Sequence, residues 1–152
     1  MIHIVDVAHV MFNVTDLERS LKLYRDLLGF HVSGEYEGAV IWLNMGQFRE
    51  GQNLAFHDIG LYKVPNAAPD NARKTVGLNH AAFRLRTAED VDKAAELLKS
   101  NGVKILKGPA THKEDGDRYL YFEDPDGNVL ELVASTLSNF PDSYLGGERR
   151  GG

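Results

Sequence analysis

The chain has no cysteine. That one absence excludes disulfides, thiolate nucleophiles, iron–sulfur clusters and cysteine-bound zinc together. Any metal must be held by His, Asp or Glu. Long apolar runs are missing too: the longest is Ala39–Leu43, far short of a membrane span. Basic runs are equally scarce. Lys plus Arg number 17 against 22 Asp plus Glu, a net charge of −5 with neutral histidines. Neither a nucleic-acid partner nor an anionic membrane surface is expected of such a chain. There is no glycine-rich phosphate loop, no nucleophile-elbow serine and no His-Glu-x-x-His helix. Met1–Asp6 lacks the basic region and apolar stretch of a secretion signal, so a cytoplasmic protein is expected. Hydrophobic residues at 43% and charged residues at 26% of the 152 suit an ordinary globular chain rather than a disordered one.

What is present is a weak internal repeat. Residues 9–30 open with His9-Val10-Met11-Phe12 and close with Leu28-Gly29-Phe30; residues 80–103 open with His80-Ala81-Ala82-Phe83 and close with Asn101-Gly102-Val103. Alternating apolar residues open each copy as a strand. Thr15-Asp16-Leu17-Glu18 fits a helix capping box, and Thr87-Ala88-Glu89-Asp90 fits a variant with Asp in place of Glu. Apolar positions then recur at helical spacing: Leu17, Leu21, Tyr24 and Leu28 in one copy, Val91, Ala94 or Ala95, and Leu98 in the other. Gly29 and Gly102 stand where a helix ends. Strand-like runs follow at 30–36, 39–45 and 56–64, then at 103–107, 118–123 and 128–134. Asp124-Pro125-Asp126-Gly127 joins the last two as a turn. The order β-α-β-β-β thus occurs twice. An α+β fold is expected, with modules at 1–64 and 78–134, a linker at 65–77 and a tail at 135–152.

Six histidines stand at positions 3, 9, 31, 57, 80 and 112. His3 and His31 read as ordinary hydrogen-bonding residues. His9 and His80 hold equivalent places in the two copies, which packing alone does not explain. Alternation puts Val7, His9 and Met11 on one strand face and Val10 and Phe12 on the other. With Phe12 and Phe83 covering their helices, both histidines face the opposite side of the sheet. Glu131 is a lone carboxylate in the apolar run Val129–Val133, either an edge charge facing water or a ligand whose burial a metal offsets. Two histidines and one carboxylate form a facial triad that suits non-haem Fe(II) with open coordination positions. Mn(II), Zn(II) and Ni(II) accept the same donors.

The segments His9–Phe30, Gly77–Phe83 and Tyr121–Glu131 together resemble the motifs of the vicinal oxygen chelate superfamily. Its members include glyoxalase I, fosfomycin-resistance enzymes and extradiol ring-cleaving dioxygenases. The resemblance covers roughly residues 7–134. It implies two βαβββ modules pairing into a curved, partly open mixed sheet, with a metal in the concavity bound by His9, His80 and Glu131. Glyoxalase I carries a further carboxylate on the last strand of the first module, where this chain has Gly60. The closer resemblance is to single-domain type I extradiol dioxygenases. It implies that His57 acts as acid and base, and that His112 and Tyr121, 19 and 10 residues before Glu131, contact the substrate oxygens. By strict alternation His57 faces away from Gly60 unless the strand starts after it. Tyr36, Trp42, Phe48 and Tyr62 are candidates for an aromatic pocket as well as for core and rim, and residues 46–55 for its lip.

The expectation is an Fe(II)-dependent extradiol-type dioxygenase. It would act on a catechol-like aromatic diol with O₂, in aromatic-compound catabolism, as a homodimer or higher homo-oligomer. A Mn(II)- or Zn(II)-dependent isomerase or transferase of the glyoxalase or fosfomycin type is the alternative. A non-catalytic small-molecule-binding member is the third reading.

Overall fold

A computed structural model describes residues 1–3, 7–46, 57–65, 77–113 and 116–135. The expected linker, the expected lip with Phe48 and the expected tail lie almost wholly outside those residues. Contacts divide the chain into two units, Met1–Ala67 and Ala68–Gly152. The first runs β1 (Val10–Val14), α1 (Leu17–Leu21), a π-helical segment (Lys22–Leu27), β2 (His31–Tyr36), β3 (Val40–Asn44) and β4 (Ile59–Lys63). The second runs β5 (Ala81–Arg84), α2 (Ala88–Ser100), β6 (Ile105–Thr111), β7 (Arg118–Glu123) and β8 (Val129–Ala134). Each unit is therefore the expected βαβββ. Their sheets have the same order, β1-β4-β3-β2 and β5-β8-β7-β6. In both, the first and last strands pair in parallel and the others antiparallel.

Period-two alternation gives each sheet a helix-covered face and an open one. In the first unit Phe12, Val14, Ile41, Leu43, Ile59 and Leu61 are buried together with Leu21, Leu23 and Tyr24 of the helical stretch. In the second, Leu120, Phe122, Leu130 and Leu132 are buried with Val91, Ala95 and Leu98 of α2. Each Val, Leu, Ile or Phe among them contributes about 1.5–3 kcal/mol on full burial.

The two helices end alike and begin differently. Gly29 and Gly102 close them at φ +78° and +73°, a left-handed conformation that disfavours a side chain. At α2 the box is complete: Thr87 Oγ1 accepts from Asp90 N, and Thr87 N donates to the Asp90 carboxylate, both at 3.1 Å. At α1 the expectation fails by one residue. Asp16 is the cap, accepting from Arg19 N at 2.9 Å, while Thr15 accepts from the Arg19 guanidinium at 2.8 Å. The apolar stripe also shifts. The π-helical segment donates from Leu28 N to Leu23 O at 2.9 Å, a bond one residue longer than an α-helix makes. Leu23 thereby turns inward beside Tyr24, whereas Leu17 and Leu28 are only half-buried.

The Asp124–Gly127 turn forms as expected, with Gly127 N donating to Asp124 O at 3.0 Å. The Asp124 carboxylate also accepts from Asp126 N and Asn128 N at 2.9 and 2.8 Å. This lock fixes the β7–β8 register that sets Tyr121 opposite Glu131.

Candidate active site

Glu131 sits on β8, inside its sheet between β5 and β7, with Ala82 opposite on one side and Tyr121 on the other. It is 6% exposed, so it is not an edge charge facing water. His80 immediately precedes β5, and its Nε2 lies 3.0 Å from Glu131 Oε2. Its Nδ1 lies 2.7 Å from Asn79 Oδ1. An Nδ1–H donated to that amide oxygen leaves the Nε2 lone pair facing a carboxylate. Two acceptors so close need a cation between them, a proton or a metal ion. The pair therefore fits a metal by the chemistry of its donors.

Tyr121 completes this group. It stands opposite Glu131 on the neighbouring strand, and its ring meets the His80 ring edge-on with centroids 5.1 Å apart. Burial first, then the nearby Glu131 carboxylate, push the phenol above its ordinary range. Tyr121 thus stays protonated at neutral pH. Tyr119 shares its face two residues back, with centroids 5.6 Å apart, and His112 stacks on Tyr119 at 3.9 Å and 21°. The backbone of His112 is held from both sides: its N–H donates to Asp117 O and its carbonyl accepts from Gly116 N, both at 2.9 Å. Within this unit, His80, Glu131 and Tyr121 come into contact, and His112 joins them through Tyr119.

The open face of the first unit is apolar by contrast. His9 precedes β1 and stacks on His57, with centroids 4.3 Å apart at 30°. His57 in turn lies 6.1 Å from the Trp42 ring. Because β4 begins at Ile59, His57 escapes the alternation that would turn it away from Gly60. Its Cδ2 is 3.7 Å from the place a Gly60 Cβ would take. Asp58 pins this corner: its N–H donates to Leu43 O at 2.8 Å, and its carboxylate accepts from Met45 N at 2.7 Å. The register Met11–Gly60–Trp42, with Tyr62 opposite Val40 and Val40 opposite Tyr36, puts Trp42, Tyr62 and Tyr36 on one face. A Cβ at Gly60 would collide with Met11 Sδ, so a thioether fills the place of the absent carboxylate.

Among the described residues, no three His, Asp or Glu side chains gather around one point, so the structure does not bring His9, His80 and Glu131 together as one metal-binding group. A cavity of about 570 Å³ bordered by Leu21, Arg25, Phe30, His31 and Glu35 includes none of the candidate residues. Tyr119 and Lys107 were not foreseen. Period-two alternation from Tyr121 would have found Tyr119, whereas Lys107, with its Nζ 5.3 Å from the Tyr119 ring centre, had no signal in the sequence.

No helix among the described residues is long and apolar enough to cross a membrane. A profile of the Glyoxalase/Bleomycin resistance protein/Dioxygenase superfamily matches residues 6–132. Metallothiol transferase FosB of Lysinibacillus sphaericus is 28% identical over 141 residues, 91% of this chain and 88% of that protein. Biphenyl-2,3-diol 1,2-dioxygenase 2 of Rhodococcus globerulus is 31% identical over 148 residues, 95% of this chain and 72% of that protein. The crystal structure of a glyoxalase/dioxygenase from Nostoc punctiforme matches the fold with a TM-score of 0.64 at 21% identity, covering 87% of this chain and 92% of that one. The named relatives include transferases and dioxygenases, so kinship alone does not choose a reaction. With the profile spanning both units and the twin βαβββ sheets matching in fold, the chain belongs to the glyoxalase/bleomycin resistance protein/dioxygenase superfamily, whose fold is the vicinal oxygen chelate fold.

Proposed function

We propose that the chain is a metal-dependent dioxygenase of the extradiol type, cleaving the ring of a catechol-like diol with O₂. The observation that carries this reading is buried Glu131, met by His80 at 3.0 Å with Tyr121 opposite on the neighbouring strand. His80 and Glu131 would hold the metal, and His9, from the same chain or a second copy, would complete the set. Fe(II) best suits two imidazoles and a carboxylate; bound there, it would acidify a chelating diol and leave positions open.

The chain's own residues do the rest. Asn79 orients His80 through Nδ1, so that Nε2 would be the nitrogen offered to a metal. Tyr121, protonated beside the Glu131 carboxylate, would donate a hydrogen bond to it. His57 would take the proton of a diol hydroxyl and return it to the departing oxygen, the task of an imidazole near neutral pH. His112, braced on Tyr119, would donate a hydrogen bond to a substrate oxygen. Trp42, Tyr62 and Tyr36 give the first unit an aromatic face on which a flat ring can lie.

A second reading is a metal-dependent thiol transferase. It is favoured by kinship to FosB over 88% of that protein's length, against 72% for the dioxygenase. Anaerobic loading with Fe(II), followed by oxygen-uptake assays over a panel of catechols, tests the first reading. Thiol consumption without oxygen uptake, after loading with Mn(II) or Zn(II), would replace it with the second.

A further inference from the structure

We propose that Lys107 anchors an anionic substituent of the substrate, so that the preferred ligand is an aromatic diol bearing a carboxylate. This rests on the ring-cleaving reading and deepens it. Lys107 lies on β6 directly opposite Tyr121 of β7. Residues paired in this way project from the same sheet face. Its ammonium stands 5.3 Å from the centre of the Tyr119 ring, within cation–π range, so this exposed side chain leans over the site face.

Three other cations of this unit are paired with carboxylates. Lys93 pairs with Glu89 at 2.8 Å, Lys104 with Glu123 at 3.0 Å and Arg118 with Asp92 at 2.6 Å. Among the described residues, no carboxylate pairs with Lys107. The chain's net charge of −5 repels anions at long range, so an anionic ligand needs a local positive group such as this one. Adjacent strands lie about 4.8 Å apart, which puts β6 about 10 Å from β8 at Glu131. One aromatic ring with a short substituent spans that gap. A diol held beside Glu131 would lay its ring along Tyr121 and Tyr119 and carry a carboxylate to the Lys107 ammonium.

The test is isothermal titration of the full chain, metal-loaded and metal-free, with a dihydroxybenzoate and the matching dihydroxybenzamide. Wild type should bind the benzoate about fivefold tighter at low salt, the range of an exposed ion pair, and the preference should shrink as salt is added. Lys107→Met should erase the preference and leave benzamide affinity unchanged; Lys107→Arg should keep it. Equal binding of the two by wild type, binding of neither, or an undiminished preference in Lys107→Met overturns the assignment. The titration needs no turnover. Discrimination through Lys107 with no oxygen uptake from either compound would retire the ring-cleaving reading and leave this one standing.

Discussion

The two units share a topology and a register, yet they place opposite chemistries at the same spot. Two residues after its histidine, the first strand of one unit puts Met11 opposite Gly60; the first strand of the other puts Ala82 opposite Glu131. Large faces small in both pairs, with the roles exchanged. Where the first-strand residue is small, the last strand can carry a carboxylate. Where it is methionine, only glycine fits beneath the thioether. The repeat has thus diverged into an aromatic, apolar face with His9 and His57, and a polar one with His80, Tyr121 and Glu131. The repeat offers two equivalent positions, and side-chain volume decides which of them can carry a carboxylate.

The largest expected effect lies on the polar face. Glu131→Ala should abolish stoichiometric metal binding measured by elemental analysis of the dialysed protein, since it removes a ligand and frees His80. Retained metal in that variant would place the centre elsewhere. On the apolar face, His57→Ala should keep the metal and lose about 10²–10⁴-fold in single-turnover rate, the usual contribution of an acid–base group. A wild-type rate would reduce His57 to a stacking partner of His9.

The exchanged pair can be swapped directly. Gly60→Glu alone should lower the melting temperature, because the new side chain must displace Met11. Adding Met11→Ala should restore it and tighten metal binding, while weakening chelation of a diol by filling an open position. Unchanged diol affinity in the double variant would show that residue 60 does not approach the metal. The smallest effects belong to the helix starts. Thr87→Ala should cost about 1 kcal/mol in chemical denaturation, as should Asp16→Ala, whereas Thr15→Ala should cost much less.

Most of the fold was legible because local rules agreed with one another. Gly29, Gly102 and the Asp124 turn punctuate the elements where their residue types belong. Tyr121 entered only through the family resemblance; its place opposite Glu131 is set by the tight Asp124–Gly127 turn of the β7–β8 hairpin. Three features were not legible, each for a physical reason. Leu23 turns inward because a π-helical segment breaks the 3.6-residue period. His57 reaches the side of Gly60 because it precedes the strand and is not bound by alternation. Lys107 meets Tyr121 only through a β6–β7 ladder with two register shifts, and period counting loses track across such shifts.

The Trp42–His57 contact also makes the molecule its own optical probe. Trp42 is the single tryptophan of the chain, and its ring lies 6.1 Å from that of the residue expected to move protons. A protonated imidazole quenches indole emission more strongly than a neutral one. The fluorescence of the unlabelled protein should therefore dim as His57 gains a proton and brighten as it loses it. The charge on that ring could then be followed in real time, in the same cuvette as the reaction.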